Sequence, residues 1–283
     1  MVLVAIAAAL MALLFLVFKI FDRRNIPLFP AIAVNYMIAS IAGILFAPPW
    51  QAEDLSGLWC PAIGIGVLFV VNFQLTGLSA QRAGVAATTV ASRMSLVLTV
   101  LAAVWLYDER PGTPGWIGIA CALASVLLAS ITRGTRAIGG AWKLPLLIFL
   151  GNAVIDISIN WMQRTQLRSE TEAVFPTLIF LFSAVAAIAA LPVRKESMEL
   201  RSPGVLIGGA ILGLINYASL VMIVKALTHG GFPASSFYPL MNVGVILIGT
   251  IASMILFGER LRSLQVMGIA LAILALVLIL YAQ

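Results

Sequence analysis

The sequence predicts an all-α polytopic membrane protein of ten transmembrane helices, arranged as two inverted five-helix repeats. Three observations predict it. The chain is 62% hydrophobic and 10% charged, with a mean hydropathy of +1.09, against about 45–50% apolar and about 25% charged in soluble domains. A soluble fold of 283 residues could not hide that much apolar surface. The apolar residues fall in runs of about 20, the length that crosses a bilayer core of about 30 Å. Finally, one apolar phrase occurs twice. Glu109-Arg110 leads into Gly118-Ile119-Ala120-Cys121-Ala122, and Glu259-Arg260 leads into Gly268-Ile269-Ala270-Leu271-Ala272. A duplicated set of hydrophobic helices is the sequence signature of a carrier with a central site between its repeats.

The first five spans are read at 2–21, 29–47, 59–80, 84–107 and 113–131, and the second five at 144–163, 173–193, 204–227, 234–257 and 264–281. The opening run has no basic segment before it, and Lys19, Arg23 and Arg24 follow it, so it is expected to be a retained helix and not a cleaved signal. Breakers such as Pro48-Pro49, Pro111-Gly112 and Gly230-Gly231 mark the connections. The longest polar joint, 132–143, contains Gly134, Gly139 and Gly140 and separates a first unit, 1–131, from a second, 144–283. An odd number of spans per unit, joined by short loops, inserts the second unit upside down relative to the first. The repeat extends further inward: Asn72-Phe73 in the third span aligns with Asn216-Tyr217 in the eighth.

Asp108-Glu109-Arg110 with Trp116-Ile117-Gly118, and Gly258-Glu259-Arg260 with Val266-Met267-Gly268, carry a resemblance, as does Lys19 followed by Pro27 and Pro30. The chain resembles the EamA family of the drug/metabolite transporter superfamily over essentially its whole length. Asn35 departs from that pattern, standing where many members carry an arginine, and Asp108 replaces a glycine in the first copy. The resemblance implies a carrier of amino acids, sugars, nucleotide-linked compounds or drugs, with the fifth and tenth helices outside the cavity.

Ionisable groups in mid-membrane cost about 2.5–3.5 kcal/mol on insertion scales, which makes them functional candidates. Two qualify. Arg93 lies in the fourth span, where its counterpart in the second copy is Val243, and Asp156 lies in the sixth. Asn152, Asp156 and Asn160 are spaced by four and line one helix face. A guanidinium there suits a carboxylate or phosphate, and Asp156 is the candidate for proton coupling. A buried pair that merely fixes helix packing is the alternative for both. Asn72 and Asn216 could face one cavity from opposite sides or simply bond neighbouring helices. Gln74, Asn35 and Tyr36 are weaker members of that class. In the ninth span Ser235, Ser236, Tyr238, Pro239 and Asn242 form the most polar stretch, and Pro239 is expected to act as a gating or passive kink.

Other features point to structure. Lys225 is expected to snorkel. His229 lies beside a glycine turn, with a pH-sensing role the lesser reading. Glu109-Arg110 and Glu259-Arg260 are read as loop charges offsetting a helix dipole. The two cysteines, Cys60 and Cys121, offer no metal set. The net charge of +6 comes from Lys and Arg between apolar runs, which suits anionic headgroups and not nucleic acid.

Alternating the loops places twelve of the 17 Lys and Arg on one side and only Arg110, Arg164, Arg168 and Lys225 on the other. By the positive-inside rule both termini would be outside; the resemblance implies both inside. The functional expectation is a secondary transporter of a small polar or amphipathic metabolite working by alternating access in the plasma (inner) membrane. Asn72, Arg93, Asn152, Asp156, Asn160, Asn216, Tyr238 and Asn242 would line its site. No cofactor or metal is expected, protons are the candidate coupling ion, and a homodimer is allowed but not required. No Walker-type loop is present to bind a nucleotide. The alternatives are an integral-membrane enzyme acting on lipid-linked substrates, disfavoured by the lack of clustered catalytic carboxylates or histidines, and a passive channel.

Overall fold

A computed structural model of the chain describes residues 1–52, 54–82, 92–130, 143–194, 197–257 and 263–282. Most of the 132–143 joint, residues 84–91 of the fourth span, and Glu259-Arg260 lie outside the described residues. Ten α-helices are described: α1 (Val2–Arg23), α2 (Leu28–Phe46), α3 (Trp59–Arg82), α4 (Leu96–Tyr107), α5 (Thr113–Ser130), α6 (Lys143–Thr165), α7 (Val174–Arg194), α8 (Pro203–His229), α9 (Ala234–Phe257) and α10 (Ser263–Tyr281). Each coincides with one apolar run of the sequence. There is no strand among the described residues.

Six helices are long and apolar enough to cross a membrane: Leu28–Gln51, Trp59–Thr76, Lys143–Thr165, Val174–Leu191, Pro203–His229 and Ala234–Leu256. Val2–Phe18, Ser92–Tyr107, Thr113–Ser125 and Val266–Tyr281 are equally apolar in kind but shorter among the described residues.

The fourth helix departs from expectation. A helical turn at 92–94 is followed by a break at Ser95 before α4 begins. Ser95 keeps helical dihedrals, so the interruption is one of hydrogen bonding. Its hydroxyl donates to the Ser92 carbonyl at 2.9 Å, and the Asn152 amide reaches the same oxygen at 3.4 Å. Side chains thus compete for a carbonyl that the helix ladder would otherwise use. The ninth helix departs in the opposite sense, because α9 runs without interruption through Pro239.

The contacts close eight helices into a ring in the order α1, α8, α2, α7, α3, α6, α4, α9 and back to α1. Every neighbour in that ring comes from the other half of the chain, so the two halves interlock. Glycines allow the closest crossings. A Cβ on Gly213 of α8 would lie 2.5 Å from the Asn35 carbonyl of α2, and one on Gly66 of α3 would lie 2.8 Å from the Ile179 carbonyl of α7.

Outside the ring, α5 and α10 pack chiefly along each other and against α9. Gly118 of α5 lies so near α10 that an added Cβ would meet Ile279 at 2.7 Å. Ala122, Ala272 and Ala275 complete this seam with Val243 of α9. The exterior is apolar: Leu45, Phe46, Ile207 and Ile255 are each more than 60% exposed.

Connections alternate between two faces. Face I carries the α2–α3, α4–α5, α6–α7 and α8–α9 connections and face II the α1–α2 and α7–α8 connections. Trp50, Trp59, Trp105, Trp116 and Trp161 all sit exposed near face I, where amphipathic indoles favour a membrane–water interface.

Candidate functional site

The arc of the ring formed by α3, α6, α4 and α9 carries a connected set of polar side chains. Asn72 of α3 donates to the Asn152 amide oxygen of α6 at 2.6 Å. Asn152 in turn donates to the Ser92 hydroxyl at 2.8 Å. The next residue, Arg93, donates across to the Asn242 amide oxygen of α9 at 3.0 Å. Asn242 is held by its own donation to the Tyr238 carbonyl, at 3.0 Å. The Tyr238 hydroxyl closes the circuit on the Asp156 carbonyl of α6 at 2.9 Å. Asp156 lies in electrostatic reach of Arg93 and within hydrogen-bonding reach of the Thr99 hydroxyl.

Four helices, two from each half, therefore meet through polar groups. Tyr238 and Asn72 are buried, whereas Arg93, Asn152 and Asp156 are half-buried. Buried amides and hydroxyls in an apolar solvent find partners because each unsatisfied group costs about 1–3 kcal/mol. Three nearby atoms have no such partner among the described residues: Asn72 Oδ1, Asn160 Oδ1 and the Tyr107 hydroxyl. Asn152 and Asp156 share the face expected from their spacing and both enter the circuit, while Asn160 lies buried one turn on.

Asn216, the repeat counterpart of Asn72, sits elsewhere in the ring. It donates to Asn35 of α2 at 3.1 Å. Beside this pair, Asn35 Nδ2 and the fully buried Tyr36 hydroxyl lack partners among the described residues. Rings from four other helices surround them: Phe73 lies 6.4 Å and Phe180 6.2 Å from Tyr36, Phe18 lies 5.3 Å from Phe73, and Tyr217 lies 6.2 Å from Phe180. The two asparagines thus mark two polar foci, each with its own partner.

A third cluster closes face I. Glu109, just after α4, pairs with Arg164 at the end of α6. The same carboxylate accepts the backbone N–H groups of Ala234 at 3.1 Å and Ser235 at 2.8 Å. It caps α9, satisfying two N–H groups that a helix start leaves open. The dipole it offsets is that of α9 in the other half, not that of the helix following it in sequence. Arg164 also stacks 4.2 Å over the Tyr107 ring. Further round face I, His229 at the end of α8 meets the buried Glu172 carboxylate at 2.9 Å.

Sequence reading missed Ser92 and Arg164 as parts of these clusters. Ser92 has no signal beyond adjacency to Arg93. The repeated Glu-Arg pair was the available signal for Glu109, but its partners lie 55 and 125 residues away.

Residues 1–131 match the EamA-like transporter family, a family of the drug/metabolite transporter superfamily. The resemblance expected from the sequence is met over those residues, and the match suggests a multi-pass membrane transporter of the drug/metabolite type. An uncharacterised protein of Haemophilus influenzae is 27% identical over 275 residues, covering 93% of this chain and 92% of that protein. A protein of known crystal structure shares the fold, with a TM-score of 0.75 over 97% of each chain at 16% identity.

Proposed function

We propose that the protein is a secondary transporter of a small polar or amphipathic metabolite, with its site on the α3–α6–α4–α9 arc. One observation carries the reading: Arg93, just before α4, and Asp156, in the middle of α6, are opposite charges, both half-buried where helices from the two halves meet. Charges kept in lipid at a cost of about 2.5–3.5 kcal/mol each call for a polar cargo or a proton to justify them. Arg93 would hold an anionic group, and the amides of Asn72, Asn152 and Asn242 would orient neutral polar atoms. Asp156 is the proposed proton-coupling group, with Asn160 and Tyr238 completing the path, while Asn216 belongs to the second polar focus, where it bonds to Asn35.

The architecture we infer is a pair of inverted five-helix repeats, 1–131 and 144–283, both spanning a plasma membrane. The contact pattern supports it. Exchanging each helix for the one five places on turns α1–α8 into α6–α3, α2–α8 into α7–α3 and α1–α9 into α6–α4, all of which occur. The exchange maps α2–α7, α4–α9 and α5–α10 onto themselves. Because the halves alternate around the ring, alternating access would move arcs that each contain helices of both halves. A homodimer fits this reading but is no part of it.

The test is proton release or uptake by purified protein on adding pools of metabolites, with Asp156→Asn as control. A pool that shifts protons in the parent alone identifies Asp156 as the coupling group. Pools that stabilise both proteins equally, with no proton change, would remove that role and leave exchange or uniport.

A further inference from the structure

We propose that Glu109 is the gate of the central polar site on face I, a positioning residue whose release opens that site to the outside of the ring. The inference rests on the alternating-access reading above. The geometry has three parts. First, one carboxylate, only 7% exposed, joins three ring helices at once: it leaves the end of α4, pairs with Arg164 of α6, and caps α9 through Ala234 and Ser235. Second, Asp156 and Tyr238 lie on α6 and α9, and Arg93 lies just before α4. At a rise of about 1.5 Å per residue, Tyr238 lies about 6 Å below the cap and Asp156 about 12 Å below Arg164, so the closure between site and face is thin.

Third, a cavity of about 190 Å³ adjoins that contact, lined by Glu109, Arg110, Ser235 and Ser236 and, on the side of α5 and α10, by Gly115 and Ala282. Glu109 thus borders this cavity while holding together the face I ends of α4, α6 and α9. An ion pair at partial exposure, joined to a helix cap, is a contact that can break and re-form, because the cavity borders Glu109 and the Arg164 side chain is 31% exposed. Opening would separate α9 and α6 from the α4 end.

The experiment uses the full chain in lipid nanodiscs with Cys60→Ala and Cys121→Ala. One spin-label pair sits on face I at Gly112→Cys and Glu170→Cys, and a second spans face II at Arg24→Cys and Lys143→Cys. Glu109→Gln should add a longer-distance population on face I, and Arg164→Gln, which leaves the α9 cap intact, should add a smaller one. If both variants keep the single parental face-I distribution while melting earlier, Glu109 is only structural and the proposal is overturned. The face II pair separates the two readings. Shortening there when face I opens supports alternating access; an unchanged face II with an opened face I keeps the gate and removes alternating access.

Discussion

The fourth helix of each half shows how one sequence position can serve two ends. Arg93 and Val243 are counterparts in the repeat, and both precede long apolar runs. On the first-half helix the position points across the ring, where Arg93 meets Asn242. On α9 the position is fully buried against Ala122, Ala272 and Ala275 of α5 and α10. The backbones differ as well. The first-half helix breaks at Ser95 without a proline, and α9 continues through one. Polar competition for a carbonyl interrupts a helix where neighbours supply the competing donors, while α9, packed against α1, α4, α5 and α10 along its length, keeps its helix through a buried proline.

The sharpest way to break this comparison is Val243→Arg. A guanidinium placed among alanines has no partner there, so the loss should exceed about 4 kcal/mol, among the largest effects of single substitutions. Size-exclusion chromatography should show little monodisperse protein. Arg93→Gln should do the reverse: the protein folds, with its melting temperature within a few degrees of the parent, but cargo-induced thermal stabilisation is lost. Retained stabilisation would assign Arg93 to packing. Pro239→Ala comes next. Alanine is about 3 kcal/mol better than proline in a helix interior, and part of that should appear as a higher melting temperature. A fall instead would mean that α9 depends on its proline. Ser95→Ala is the smallest change, worth about 1 kcal/mol or less. It frees the Ser92 carbonyl from one competitor, so amide exchange at 95–97 should slow if the serine causes the break.

Asn72 and Asn216 teach the same lesson in another place. Their matching place in the repeat allowed either one cavity seen from two sides or bonds to neighbouring helices, and Asn72 bonds to α6 while Asn216 bonds to α2. A side chain's partner depends on which helix crosses at its depth, and repeat alignment does not encode that. The Glu109 carboxylate is a similar case. Its type and its repeat were visible in the chain, but nothing local indicated that it would cap α9.

The sequence by itself determined the ten helices, to within a few residues at most ends, and the residues too polar for lipid. It could do so because a bilayer requires each span to satisfy its own backbone, so every helix shows as a predominantly apolar run. Only the tertiary structure decided the ring order, the alternation of halves around it, the break at Ser95 and the closure of face I by Glu109. Those depend on which surfaces meet. In a membrane, that choice comes from close packing at small residues and a few directional hydrogen bonds between distant segments.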